Sequence, residues 1–422
     1  MSKRELSDET REEKNKSISD SMKRTHAKRA LQKASVFQLK IVDNHLNCQQ
    51  REALTRIFLE AKWLRNAIIG SDDIVNYKIG KTVPVRLPDG SFEERELSHI
   101  GSQMKQSVHK QVLNDMKSLK SARTNGRKTG RLKFVTDVNS IELKQYKTTY
   151  SLFPDSQRAR IQKVPGRVRV KGIDQLNGYE LANARIVKKP SGFYLYVTAY
   201  KDKSEIVDDY IKGSVIGIDM GVSTHITRSD GVKINALIEE TDRLKRLQRK
   251  LSRQVKGSNS YRNTLGKIHR EYEKMNNRKN DAANKIVRDL LRHEFVFFQD
   301  ENLTSWKVRF GKNIHHSILG RVKERLDRHD RAVKINRFVP TTKQCLCGHK
   351  VAITLSDRWF SCDNCGRSLD RDTHSAERMV QEGFKLIPVE HRDFKPVETR
   401  LDWNMSSLTF QRLSVKPEAY TL

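Results

Sequence analysis

Three acidic residues stand in contexts that suit metal-dependent phosphodiester chemistry. Asp219 ends the apolar strand SVIGID, Glu301 follows the apolar run FVFFQ, and Asp372 lies in SLDRDTHSAERM, which begins a predicted helix. Two-metal cleavage or transfer of a phosphodiester needs hard oxygen ligands, gathered from separate elements, around a pair of Mg²⁺ ions about 4 Å apart. A single acid after a strand is a weak signal. The order and contexts of all three together predict a two-metal site.

Four of the five cysteines form two close pairs within one short segment. In a reducing compartment such pairs indicate metal ligation rather than disulfides, and four thiolates make a closed tetrahedral zinc site. Cys362 and Cys365 have the usual two-residue gap, whereas a single residue separates Cys345 from Cys347. We therefore expect a distorted first knuckle or weakly held zinc, with His349 as an alternative ligand.

The chain is strongly basic along its whole length. Its 422 residues include 82 Lys and Arg against 51 Asp and Glu, which gives a formal net charge of +31. Such a surplus predicts a polyanionic partner, of which nucleic acid is the obvious one. Composition leaves two alternatives open, a ribosome-associated protein and a merely soluble basic surface.

The sequence predicts a protein without a membrane partner. No run of about eighteen apolar residues occurs, and the opening MSKRELSDETREEKNK lacks the apolar core of a secretory signal. We therefore expect a soluble cytoplasmic protein.

The order of elements predicts three regions. Residues 1–35 are polar and densely charged without apolar periodicity, so we expect a disordered basic arm. VFQLKIV, from Val36, predicts a strand, and two amphipathic helices follow, the second through Met104 and Leu119. Short strand-like runs from SIELK to FYLYVTAY then predict an all-β module with helices inserted near its front. The third region opens with the strand that bears Asp219 and continues with two long basic helical stretches.

Two basic segments are candidates for contact with a phosphate backbone. The loop RTNGRKTGR combines charge with the backbone freedom of glycine, and the first helical stretch after Asp219 carries charges of mostly one sign. A solvated charged face is the default interpretation of such a helix. The candidate nucleic-acid-binding residues are Arg127, Lys128, Arg131, Lys133, Arg246, Arg249, Lys250 and Arg253.

These motifs resemble those of a known family. GIDMGV, DENL and DRDTHSA look like the three split motifs of the RuvC-type domain in TnpB nucleases and their relatives, the miniature type V CRISPR effectors. PTTKQCLCGH followed by WFSCDNCG is similar to the zinc-ribbon that those proteins insert between the second and third carboxylates. The resemblance extends from about Val36 to Met379 and includes the NCQQREAL, GRLKF and LQRKLSRQVKGS segments.

The resemblance implies an α/β RNase H-like (RuvC) nuclease domain with an inserted zinc-ribbon. An N-terminal wedge β-barrel with an inserted helical recognition lobe would precede it. The implied divisions are a disordered basic arm at 1–35, the wedge barrel at 36–205 with its lobe at about 46–122, the split nuclease domain at 206–382, the zinc-ribbon at 340–368 and a C-terminal tail at 383–422.

The family resemblance also implies residue roles. It assigns two catalytic Mg²⁺ ions to Asp219, Glu301 and Asp372, and one structural Zn²⁺ to Cys345, Cys347, Cys362 and Cys365. Asp300 and Asp370 are rival acids that we rank lower by register alone. The family usually has Asn where this chain has His374, which puts the fine geometry or the pH response of the site in question.

The implied activity is RNA-guided cleavage of DNA. A guide RNA would pair with the target strand of double-stranded DNA beside a short flanking motif, and a single RuvC-type site would cut the DNA. The protein would act as a monomer or as a homodimer around one RNA, in the prokaryotic cytoplasm or nucleoid. The alternatives are a guided DNA-binding protein without cleavage and a transposase or resolvase with an RNase H-like core.

Overall fold

The computed structural model describes residues 8–87, 89–206, 209–354 and 356–387. The chain divides into two compact units, Met1–Val207 and Asp208–Leu422, and each is described by itself. Within the described residues, no helix is long and apolar enough to cross a membrane.

The described residues of the first unit form three helices and nine strands. In chain order they are α1 (Asp8–Ala30), β1 (Gln32–Ile41), α2 (Cys48–Ile69), β2 (Thr82–Arg86), β3 (Phe92–Glu96), α3 (Ser102–Thr124), β4 (Ser140–Leu143), β5 (Tyr150–Phe153), β6 (Arg158–Ile161), β7 (Val168–Lys171), β8 (Glu180–Lys189) and β9 (Gly192–Asp202).

Seven of these strands form one antiparallel sheet in the order β4-β8-β9-β1-β7-β6-β5. The predicted helices α2 and α3 and the β2-β3 hairpin lie between β1 and β4 in sequence. Their apolar faces share one core with the sheet, in which Leu54, Ile57 and Met104 of the helices and Leu39 and Val197 of the strands are fully buried. The helical insertion into an all-β module is confirmed, whereas closure of the sheet into a wedge barrel stays a prediction.

The N-terminal arm differs from the prediction. Residues 8–30 form the helix α1 rather than a disordered segment, and β1 begins at Gln32, before Val36. The Glu, Lys, Arg and Ala residues of α1 favour helix, although the segment has no apolar face that periodicity could reveal. Its last turn is anchored where Lys28 and Arg29 pair with Glu180 at 2.8 and 2.9 Å. Residues 1–7 of the predicted arm lie outside the described residues.

The part of the second unit that the structure describes contains five helices and seven strands. They are β10 (Ile211–Met220), β11 (Ile226–Arg228), β12 (Lys233–Ile234), α4 (Asp242–Ser252), α5 (Asn259–Leu290), β13 (His293–Gln299), α6 (Leu303–His316), α7 (Leu319–Leu326), β14 (Ala332–Ile335), β15 (Trp359–Ser361), β16 (Ser368–Asp370) and α8 (Arg371–Phe384).

Five strands of this unit form a mixed sheet in the order β12-β11-β10-β13-β14. The first three strands are antiparallel neighbours, and β10, β13 and β14 are parallel. An antiparallel meander followed by parallel strands that return through helical crossovers is the topology expected of an RNase H-like domain. The predicted α/β nuclease fold is therefore borne out at the level of topology, while the domain boundaries stay predictions.

Helix α8 lies directly on this sheet. A side chain at Gly217 of β10 would collide with the backbone carbonyl of Ala376, and one at Gly383 would collide with the ring of Phe297 on β13. Both positions therefore require glycine for the close approach of helix and sheet. The predicted C-terminal tail was to begin at residue 383, but α8 continues through Phe384, and residues 388–422 lie outside the described part of the chain.

Candidate active site and metal centre

The three predicted carboxylates come from three elements that meet. Asp219 is the second-last residue of β10, Glu301 follows the end of β13, and Asp372 is the second residue of α8. β10 and β13 are parallel neighbours, with Ile218 opposite Phe298, so their carboxyl ends share one edge of the sheet. Because α8 packs on both strands, its first turn is brought to the same edge.

Asp219 interacts electrostatically with both other acids. Burial, together with the nearby carboxylates of Asp372 and Glu301, raises the pKa of Asp219 to about 8. Burial also raises the pKa of Glu301, against the opposing charge of Lys323. A cluster of carboxylates that disfavour one another's charge has the donor set that Mg²⁺ prefers, and bound cations would relieve the repulsion.

One cation of the protein already lies in this cluster. The Arg371 guanidinium donates to Asp372 Oδ1 through one terminal nitrogen at 3.1 Å and through Nε at 3.3 Å. Its charge also lowers the pKa of Asp219. Sequence analysis gave Arg371 no role, and only its place within the DRD motif could have drawn attention to it.

The two rival acids have other partners. Asp300 accepts a hydrogen bond from Lys323 Nζ at 2.6 Å, which lowers the pKa of its carboxyl group. Asp370 caps the N-terminus of α8 by accepting from the Thr373 N–H at 3.1 Å, and it pairs with Lys233 Nζ at 2.7 Å. Both acids therefore hold the surrounding elements in place.

Lys323 is a second residue that sequence analysis missed. Its ammonium donates both to Asp300 and to the backbone carbonyl of Glu301, each at 2.6 Å, and so ties the end of β13 to α7. It also lines a cavity of about 640 Å³ beside Glu301, with Arg328 and Arg337 among the other lining residues. No sequence signal links positions 301 and 323, since the contact exists only in the folded chain.

The four clustered cysteines have the geometry of a metal centre. Their sulfurs all lie within 4.8 Å of one another, with Cys345 Sγ and Cys365 Sγ 3.6 Å apart and Cys347 Sγ and Cys362 Sγ 3.8 Å apart. Sulfurs about 2.3 Å from a tetrahedral zinc ion would lie about 3.8 Å apart, so the donor set fits zinc. His349 is exposed and does not belong to the cluster.

The short spacing of the first cysteine pair is absorbed by a tight turn. Gly348 adopts a left-handed backbone with φ of 90°, its N–H donates to the Cys345 carbonyl at 2.9 Å, and the Cys345 N–H donates to the His349 carbonyl at 2.8 Å. This turn brings both sulfurs into the cluster. The turn after Cys347 supplies the curvature that the short spacing needs, and the expectation of a distorted first knuckle or weakly held zinc stays a prediction.

Of the predicted nucleic-acid-binding residues, one group converges. Arg246, Arg249, Lys250 and Arg253 are exposed along α4 and its C-terminus, where all four line one cavity of about 420 Å³. The other four lie exposed in the irregular segment after α3, which Arg123 holds by donating to Thr129 Oγ1 at 2.7 Å and to the Gly130 carbonyl at 3.1 Å. The α4 group belongs to the second unit, whereas the group after α3 belongs to the first unit.

Two family models and two curated proteins match parts of the chain. Residues 200–294 match the OrfB_IS605 family model, described as a probable transposase, and residues 315–379 match the Cas12f1-like TNB domain. The chain is 29% identical over 185 residues to the "Putative RNA-guided DNA endonuclease" of Streptomyces pristinaespiralis, covering 40% of this chain and 46% of that protein. These matches support a resemblance to the TnpB/Cas12f family.

A second curated relative is the "Putative RNA-guided DNA endonuclease InsQ" of Escherichia coli strain K12, with 22% identity over 270 residues. That match covers 58% of this chain and 66% of InsQ, so the chain spans about half to two thirds of the two curated relatives. A solved Cas12f1-sgRNA-target DNA complex has a TM-score of 0.39 and 14% identity, over 65% of this chain and 70% of that one. A CRISPR-Cas12f ternary complex has a TM-score of 0.27 and 15% identity, over 66% and 70%. The fold assignment rests on strand order.

Proposed function

We propose that this protein is an RNA-guided DNA endonuclease of the TnpB/Cas12f family. Guide RNA pairs with the target strand of double-stranded DNA beside a short flanking motif, and a single RuvC-type site cleaves the DNA. The observation that carries the proposal is the convergence of Asp219, Glu301 and Asp372, whose charges interact at one edge of an RNase H-like sheet. The curated relatives are named as enzymes of this activity.

The catalytic set is Asp219, Glu301 and Asp372. Its members lack the ion pairs that engage Asp300 with Lys323 and Asp370 with Lys233. Asp372 pairs with the adjacent Arg371 guanidinium, whereas Asp370 caps α8 and pairs with Lys233. These contacts support the assignment made from register.

Each protein group near the site has a distinct task. When bound to these carboxylates, two Mg²⁺ ions would make a water molecule more acidic and stabilise charge on the phosphate. Lys323 holds the backbone of Glu301, which sets the direction of that side chain. Asp370 begins α8 and so places Asp372 two residues later. Arg371 offsets part of the negative charge of the cluster.

We assign one structural zinc ion to the four cysteines. A closed set of four thiolates leaves no open position for a substrate, so this centre supports the fold rather than the chemistry. Hydrogen bonds to Cys347 Sγ from the His349 N–H and from the Asn364 side-chain amide, the latter at 3.6 Å, lower the pKa of the Cys347 thiol. Thiolate character at Cys347 suits zinc ligation.

Guide RNA and target DNA are the proposed partners. The net charge of +31 and the four cations that converge on α4 support binding through phosphates, as recognition of an A-form heteroduplex requires. The first unit, with its antiparallel sheet and inserted helices, is the proposed wedge and recognition lobe. A monomer and a homodimer on one RNA are both compatible with this arrangement.

The proposal is tested with the full chain and the RNA that copurifies with it. Matched, motif-less and mismatched DNA are incubated at near-physiological salt with Mg²⁺, with and without RNA. We expect RNA-dependent cutting that Asp219→Asn, Glu301→Gln and Asp372→Asn each reduce at least about a thousandfold, with guided DNA binding retained. Asp300→Asn is the matched control and should cut.

Two outcomes would replace the proposal. Site-specific cutting by protein without RNA would favour the transposase or resolvase alternative, since amino acids would then have to read the sequence. Guided binding without cutting by the wild type, under conditions in which zinc content and folding are intact, would favour the guided DNA-binding protein.

A further inference from the structure

Helix α8 connects the carboxylate cluster to the four-cysteine centre. The antiparallel hairpin β15-β16 belongs to the cysteine subdomain, whose core contains Cys345, Phe360 and Cys362. β16 ends at Asp370, α8 starts at the next residue, and Asp372 is in its first turn. The third carboxylate therefore stands two residues from a strand whose place depends on the cysteine centre.

His374 packs the helix against that subdomain. Its ring is fully buried and stacks on Phe360, with the ring centroids 3.6 Å apart and the planes inclined by 10°. Its Nε2 donates to the backbone carbonyl of Gln344 at 3.0 Å, immediately before Cys345. The His374 side chain thus contacts both segments that carry the cysteine pairs. Gln344 directly precedes Cys345, and Phe360 stands two residues before Cys362.

Further polar contacts extend this face of α8. Thr342 Oγ1 and Ser375 Oγ lie 3.0 Å apart, Arg367 donates to Glu377 at 2.5 Å, and Gln381 donates to the Leu346 carbonyl at 3.0 Å. Leu346 is the residue between the first two cysteines. The contacts therefore follow the helix along the metal centre over more than one turn.

The opposite face of α8 packs closely on the sheet, so the helix cannot shift toward β10 or β13. Gly217 and Gly383 bring the helix against the sheet with room for no additional atom, so a shift of the helix would require movement of β10 or β13. α8 is consequently held between two surfaces, and the first turn with Asp372 is the part that the cysteine subdomain positions.

We propose that His374 is a positioning residue that couples metal occupancy of the four-cysteine centre to divalent-cation binding at Asp219, Glu301 and Asp372. This inference rests on the proposed function of those carboxylates. With the cysteine metal bound, Gln344 and Phe360 hold His374 and thereby the first turn of α8. Without that metal, the turn at residues 345–349 loosens, His374 loses both partners, and Asp372 leaves its position near Asp219, where the two carboxylates would hold a divalent cation.

The test measures binding of Mn²⁺ to the full chain, without nucleic acid, from free Mn²⁺ quantified by electron paramagnetic resonance. Zinc is removed with a chelator that is then dialysed away, and metal content is measured before each titration. Asp219→Asn defines the part of Mn²⁺ binding that belongs to the carboxylates. We expect removal of zinc to weaken that binding at least about tenfold in the wild type, the lower end of the effect seen when residues supporting metal ligands are lost.

Three variants separate coupling from folding. His374→Ala should retain zinc, bind Mn²⁺ about tenfold more weakly than wild type, and no longer respond to zinc removal. His374→Asn keeps a donor for the Gln344 carbonyl, so its Mn²⁺ affinity should lie between those of the wild type and His374→Ala. His316→Ala, which removes another buried histidine of the same unit, should retain the full response to zinc.

Two results would overturn the inference. Mn²⁺ affinity that is unchanged by zinc removal would show that the centres are independent. A response in folded His374→Ala as large as in the wild type would show that another contact carries the coupling. Neither readout requires cleavage, so a protein that couples the two metals but does not cut guided DNA would refute the proposed activity alone.

Discussion

The most informative single substitution is Asp219→Asn, studied without nucleic acid. The folded chain holds the Asp219 carboxyl at a pKa of about 8, against an ordinary value of 3.8, because of burial and of the nearby Asp372 and Glu301. A carboxyl whose pKa is higher in the folded chain binds more protons when folded. Its contribution therefore destabilises the fold progressively as pH rises from about 4 to about 8, in protein without Mg²⁺.

The size of the effect follows from the same pKa. At pH 7 the interval above the ordinary value is about 3 pH units, each worth about 1.4 kcal/mol, which gives an upper bound of about 4 kcal/mol. Water reaches part of this site, so about 1 to 2 kcal/mol is the realistic expectation. Asn has a similar shape and carries no charge, so Asp219→Asn should be more stable than the wild type by that amount.

The assay is thermal unfolding by circular dichroism between pH 5 and pH 8, in Mg²⁺-free buffer without chelator so that the cysteine metal stays bound. The advantage of Asp219→Asn should grow with pH and shrink when Mg²⁺ is added, since only the wild type gains an ion. Asp300→Asn is the control, because its pKa is lowered by Lys323 and its loss should cost up to about 1 kcal/mol. An Asp219→Asn protein no more stable than wild type at pH 8 would refute the electrostatic account.

Three further predictions test separate features. Purified protein should contain about one zinc per chain, which Cys362→Ser loses with local unfolding and Cys48→Ser retains, as metal analysis and circular dichroism would show; a zinc-free wild type would contradict this. Replacing Arg249 and Arg253 by Gln should reduce the magnitude of the slope of log K against log[salt] for nonspecific DNA binding by about 1.4 to 1.8, since each phosphate contact contributes about 0.7 to 0.9. An unchanged slope would show that α4 is not part of the interface. Asp370→Ala should lower the stability to denaturant by about 1 kcal/mol through loss of the helix cap. Asp370→Asn keeps an oxygen for that cap and should retain guided cutting, and its inactivity would move the third ligand to position 370.

Several elements could be predicted from local sequence because their signals are local. The apolar stripe of α2 has the helical period, and Asn47 and Gln50 form a capping box at its start, so the helix and its buried face follow from neighbouring residues. Periodicity failed for α1, whose residues favour helix but carry no apolar face. That helix is anchored by the pairing of Lys28 and Arg29 with Glu180, a partner some 150 residues away that no local pattern contains.

The candidate site divides in the same way. The sequence by itself determined the chemistry, because residue types are read directly: three acids in strand and helix contexts, four thiols in pairs, and a surplus of cations. Only the tertiary structure decided which acids are engaged elsewhere, through Lys323 at Asp300 and Lys233 at Asp370. It also decided that the short Cys345–Cys347 spacing still closes a cluster and that His374 lies against Phe360. These outcomes depend on distances between residues far apart in sequence, which packing sets and spacing along the chain does not.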